Sequence, residues 1–130
     1  MKYKEIPFKS DLNGLSVRSP EGHTNVAYIE NLSQEYDIDK LKPVFGELLN
    51  NQSIEHLVID LSKFPKDSKR LWLLFYTGVF LANAYPREIK PKFVNIEASV
   101  LGGLKPFFKS RVAANLDEAI KSFSSYSLGN

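Results

Sequence analysis

The stretch Leu57-Val58-Ile59-Asp60-Leu61 is apolar at four of five consecutive positions, where a strand with one solvated face would alternate. A run of this kind marks a strand covered on both faces, as in a parallel or mixed sheet with helices packed on it. Parallel neighbours need crossover connections, so helices are expected before and after it. On the N-terminal side, Leu41, Val44, Phe45, Leu48 and Leu49 fall at i, i+3, i+4, i+7 and i+8, one core-facing helical stripe. Asp37 or Asp39 can cap that helix, Pro43 is accommodated near its first turn, and Asn50-Asn51 supplies the stop. On the C-terminal side, the polar turn Ser62 to Asp67 leads into a helix expected from Ser68 to Asn83, ended by Tyr85-Pro86 because a residue before proline resists helical geometry.

Further out, a first strand is expected over Tyr3 to Phe8, with a turn at Asn13-Gly14 and a half-buried alternating strand over Leu15 to Arg18. Pro20-Glu21-Gly22 turns the chain into a strand over Asn25 to Glu30, making a hairpin. Lys92 to Ile96 reads as another strand. A helix over Ala98 to Phe108 follows, weakened by Gly102, Gly103 and Pro106. A short strand is expected at Arg111 to Ala114. Asn115 and Glu118 then form a capping box for a last helix with the buried stripe Leu116, Ala119, Ile120 and Phe123. The order β, β, α, β, α, β, α, α implies an α/β domain: a mixed sheet flanked by about four α-helices.

Composition agrees with one domain. The chain has 130 residues, 43% of them hydrophobic, enough for a single core; residues 1–10 carry the extra strand and 126–130 a flexible tail. The absence of cysteine removes disulfides and thiolate metal sites and points to a cytoplasmic setting. Met1-Lys2-Tyr3-Lys4-Glu5 does not read as a secretory signal. The longest apolar stretch, Leu71 to Ala84, is interrupted by Thr77, Gly78 and Asn83 and is shorter than the ~20 residues of a transmembrane helix. Lys63 to Arg111 holds ten basic and three acidic residues, a balance of +7, whereas the remainder holds seven and twelve, a balance of −5. The basic middle suits an acidic protein surface, a phosphate or an anionic membrane, and suits equally a set of solvating side chains at element ends.

No catalytic motif emerges. His23 and His56 lack metal-ligand spacing, and there is no phosphate loop, dinucleotide fingerprint or nucleophile elbow. Glu35, Asp37 and Asp39 precede a helix, where negative charge is favoured by the helix dipole without any acid/base role. The chain therefore reads as a non-enzyme without cofactor, metal or nucleic-acid partner.

The segment Ile59-Asp60-Leu61-Ser62-Lys63-Phe64-Pro65-Lys66-Asp67-Ser68-Lys69-Arg70-Leu71 joins a buried strand to a helix N-terminus. Here the sequence resembles the STAS family, the domain of bacterial anti-sigma-factor antagonists and of sulfate-transporter tails. The resemblance covers Leu15 to Phe123 in element order. It rests on Val58-Ile59-Asp60-Leu61-Ser62, the Asp67-Ser68 pair and Leu71, with Asp117-Glu118-Ala119 in the last helix. It implies a STAS-like mixed sheet and a protein-interaction function, as a regulator in bacterial partner switching. The implied partner is a regulatory protein such as a kinase-like anti-sigma factor or a phosphatase. Family members carry Asp-Ser-Ser-Gly-Leu or Asp-Ser-Thr-Gly-Leu at this turn, and a kinase phosphorylates the second hydroxyl. This chain has Asp67-Ser68-Lys69-Arg70-Leu71, so Lys69 occupies the acceptor position and Ser68 matches the first serine.

A phosphate on Ser68 would meet a helix N-terminus, and Ser68 or Asp67 serves equally as a plain helix cap. In the expected helix Trp72, Tyr76 and Phe80 form a second apolar face, an interface if exposed and core if neighbours cover it. The resulting candidate interface is Asp67, Lys69, Arg70, Trp72 and Tyr76, with phosphorylation at Ser68. The alternative is a small anionic-ligand or lipid-transport-associated binding module of the same fold, using Lys66, Lys69, Arg70, Lys105, Lys109 and Arg111.

Overall fold

A computed structural model describes residues 2–12, 14–31, 38–62, 89, 91–96 and 111–128. They form a six-stranded mixed sheet of β1 (Tyr3–Glu5), β2 (Leu15–Pro20), β3 (Val26–Asn31), β4 (His56–Asp60), β5 (Lys92–Val94) and β6 (Val112–Ala113) in spatial order 1-2-3-4-5-6. The pairs β1–β2 and β2–β3 are antiparallel, and β3–β4, β4–β5 and β5–β6 are parallel. Two helices stand among the described residues, α1 (Ile38–Leu49) and α2 (Leu116–Leu128). The class is the expected α/β. Of about four expected helices, the two over Ser68–Asn83 and Ala98–Phe108 lie outside the described residues.

Sheet register sorts the side chains onto two faces. On the α1 face, Leu15, Val17, Ala27, Ile29, Leu57, Ile59 and Phe93 pack with Val44, Phe45, Leu48 and Leu49. On the α2 face, Val26, Tyr28, Val58 and Val94 pack with Leu116, Ala119 and Ile120. β4 contributes buried apolar residues to both, which is why its sequence does not alternate.

Several boundaries differ from the sequence reading for local reasons. β1 stops at Glu5 rather than Phe8: the Ile6 amide still reaches the Val17 carbonyl at 3.3 Å, but Pro7 has no N–H to continue the ladder. β5 ends at Val94 because Asn95 adopts a positive φ of 58°. α1 begins at Ile38, so Asp39 is inside the helix rather than its cap, and Pro43 is the sixth helical residue, a full turn in. The missing Pro43 N–H leaves the Asp39 carbonyl without its helical donor.

Other expectations hold. The β2–β3 hairpin closes with the His23 amide on the Pro20 carbonyl at 2.9 Å and Gly22 at φ 84°, a backbone conformation that glycine adopts without steric cost. α2 is capped by Asn115, whose Oδ1 accepts the Glu118 amide at 3.0 Å. The Glu118 carboxylate lies 3.5 Å from Lys121 Nζ on the next turn. The helix itself runs to Leu128, into the stretch 126–130 that the sequence reading gives as a tail.

Candidate functional site

The residues singled out in the sequence, Asp67, Ser68, Lys69, Arg70, Trp72 and Tyr76, lie outside the described residues. What the structure describes is the base from which that segment departs. β4 ends at Asp60, a carboxylate at the carboxyl end of a central parallel strand with only 5% of its surface exposed. A charge so placed is costly unless its oxygens are fully engaged.

They are engaged. Oδ1 accepts the Ser62 amide at 2.8 Å and the Ser62 hydroxyl at 2.6 Å, an Asx-type turn that fixes the first step beyond the strand. Oδ2 accepts the Asn95 side-chain amide at 2.8 Å and the Tyr28 hydroxyl. Three strands thus meet at one carboxylate: Tyr28 from the middle of β3, Asp60 at the end of β4, and Asn95 just past β5. The positive φ of Asn95 accompanies this contact, and its backbone amide donates to Ala114 beyond β6 at 3.3 Å.

Electrostatics follow the geometry. Burial alone would raise the Asp60 pKa, but the bonds from Ser62, Tyr28 and Asn95 outweigh it and hold the carboxyl below its ordinary value. Tyr28 moves the other way, raised by burial and then by its bond to Asp60, so the phenol stays protonated and remains a donor. The cluster extends along the α2 face through Glu30, which Arg18 pairs. The Arg18 guanidinium carbon lies 4.1 Å from the Tyr3 ring centroid, and Tyr3 stacks on Tyr28 at 5.9 Å.

His56 stands at the other end of β4. It is half-buried, with its ring stacked on Phe123 of α2 at 3.9 Å, and burial lowers its pKa. The described residues hold no group of three or more His, Cys, Asp or Glu placed to bind a metal. Among them, no helix is long and apolar enough to cross a membrane.

The sequence reading used Asp60 in a strand pattern and in the family resemblance, and gave Tyr28, Asn95, Arg18 and Glu30 no role beyond their strands. One indication was legible: an aspartate inside an otherwise apolar run needs partners. No family model, curated protein or solved structure matches the chain.

Proposed function

We propose that the chain is a STAS-like protein-interaction domain, an anti-sigma-factor-antagonist-like regulator that works in the bacterial cytoplasm by binding a regulatory protein through Asp67, Lys69, Arg70, Trp72 and Tyr76. The observation that carries this reading is the use of Asp60. Each of its oxygens already accepts two hydrogen bonds, and its pKa is lowered. A carboxylate in that state is a poor general base, because accepting a proton would break the bonds that hold it. It is well suited to anchoring the strand end from which the Asp67-Ser68 turn departs. Loops carried on the ends of rigid strands are where interaction residues concentrate. Phosphorylation of Ser68 would reverse local charge beside Lys66, Lys69 and Arg70 and weaken a partner that docks on the unmodified surface.

The test is affinity capture from source-cell extract with the wild type, Ser68→Ala and Ser68→Asp as baits. Partners retained by the first two and lost by the third are expected. Equal retention by all three baits would remove the switch.

The alternative, a small anionic-ligand or lipid-associated binding module, shares the fold and differs in what is bound. A thermal-shift series with nucleotides and anionic lipid micelles separates the two, since a ligand that binds only the folded state raises the melting temperature.

A further inference from the structure

Between β1 and β2 the chain leaves the sheet and crosses to α1. From Ile6 to Leu12 burial alternates: Ile6, Phe8, Ser10 and Leu12 are half-buried, and Pro7, Lys9 and Asp11 are exposed. Ile6, Phe8 and Leu12 rest on the edge of the α1-face core, which holds Leu15, Val17 and Leu48. After Ile6, however, this stretch belongs to no strand of the sheet. Its amides at Lys9 and Ser10 are instead bound by one side chain. Glu47 of α1 accepts the Lys9 amide through Oε2 at 2.8 Å and the Ser10 amide through Oε1 at 2.9 Å. The far end closes with the Leu15 amide on the Leu12 carbonyl at 3.0 Å, beside Gly14 at φ 84°.

We infer that residues 7–12 are a strap clasped by Glu47, which opens as a unit while the sheet stays folded. Opening sacrifices the bonds that Glu47 accepts from the Lys9 and Ser10 amides and from the Ser10 side chain, together with the packing of Phe8 and Leu12, but no rung of the β1–β2 ladder, whose register ends at Glu5 opposite Arg18. Proline at one end and the Gly14 turn at the other bound the moving stretch. A region with few buried contacts and solvent-exposed backbone bonds opens at lower free energy than the core strands. Release uncovers the part of the α1-face core against which Phe8 and Leu12 pack. The inference is independent of the partner-binding reading, because it concerns a different part of the chain and needs no partner to be observed.

Amide exchange followed by mass spectrometry on the intact protein tests it, together with tryptic cleavage after Lys9. In the wild type the Lys9 and Ser10 amides exchange at least about tenfold faster than those of Ile29 and Ile59, the signature of local rather than global opening. Glu47→Ala speeds strap exchange and Lys9 cleavage by roughly another tenfold and leaves β3 and β4 unchanged. Phe8→Ala, which loosens the strap without touching α1, moves the same amides in the same direction. The inference is overturned if the strap amides exchange at the core rate, if Glu47→Ala leaves them unchanged, or if it accelerates strap and core equally.

Discussion

The two faces of the sheet are built on opposite principles. On the α1 face, successive strands present the apolar side chains of Val17, Ile29, Ile59 and Phe93, which pack in one core. One residue along, on the α2 face, the same strands present Arg18, Tyr28 or Glu30, Asp60 and Val94, and two acids, a base and a phenol are arranged in bonded pairs. The first arrangement is non-directional and tolerant of rearrangement, while the second is directional and leaves donors stranded if one member is lost. The difference separates tasks: the apolar face supplies stability, and the polar strip ties the ends of β4 and β5 to the middle of β3.

If so, the largest loss of stability should come from the apolar face. Phe93, fully buried at the centre of that core, is the sharpest probe. Phe93→Ala should cost about 3–5 kcal/mol in urea unfolding, from lost transfer energy plus the cavity left behind. A loss below about 1 kcal/mol would mean the core collapses into the space and the faces differ less than their residues suggest.

The polar strip should give a smaller effect with a different signature. Asp60→Asn keeps the shape but replaces one acceptor oxygen by a donor facing Tyr28 and Asn95, and should cost about 1–3 kcal/mol near neutral pH. The sign of its pH dependence is fixed by the direction of the Asp60 shift. A carboxyl whose folded pKa lies below its unfolded value, near 3.8, contributes stability above that value and loses it as pH falls through the folded pKa. The gap between wild type and Asp60→Asn should therefore close in acid. Phe93→Ala removes no titrating group, so its deficit should persist there. A constant gap for both variants would show that Asp60 acts by shape rather than charge.

The same contrast explains what the sequence revealed. β4 and the α1 stripe were legible because apolar periodicity is a local property, and Asn115 was legible as a cap because its acceptor serves an amide three residues away. The Asp60 cluster was only half legible. That Asp60 sat in a buried run was plain, but Tyr28 and Asn95 lie 32 and 35 residues away, and their convergence depends on strand register, which no local pattern records. The early ends of β1 and β5 follow from Pro7 and Asn95. Proline was readable in advance as a missing donor. The left-handed turn of Asn95 was not, since asparagine adopts it only where context favours it. The candidate interface from Asp67 to Tyr76 was read from the motif resemblance and from the second apolar face of the expected helix, and it lies outside the described residues.

The smallest expected effect belongs to the most conspicuous charge on the polar strip. Arg18 pairs Glu30 and covers the Tyr3 ring, two contacts that on their face make its removal costly. Two features argue otherwise. The pair is partly open to water, with side-chain exposures of 31% and 20%, where ion pairs contribute only about 0.2–1 kcal/mol. In addition, Arg18 Nε is buried with no hydrogen-bond partner, a standing cost that disappears with the guanidinium. Arg18→Met keeps an apolar stem against Tyr3 while removing both the pair and the orphan donor. It should change stability by less than about 1 kcal/mol, and a double-mutant cycle with Glu30→Gln should give a coupling that shrinks as salt is raised. A coupling above about 2 kcal/mol that persists in salt would place Arg18 and Glu30 in the same class as Asp60 and extend the fixed part of the strip to β2.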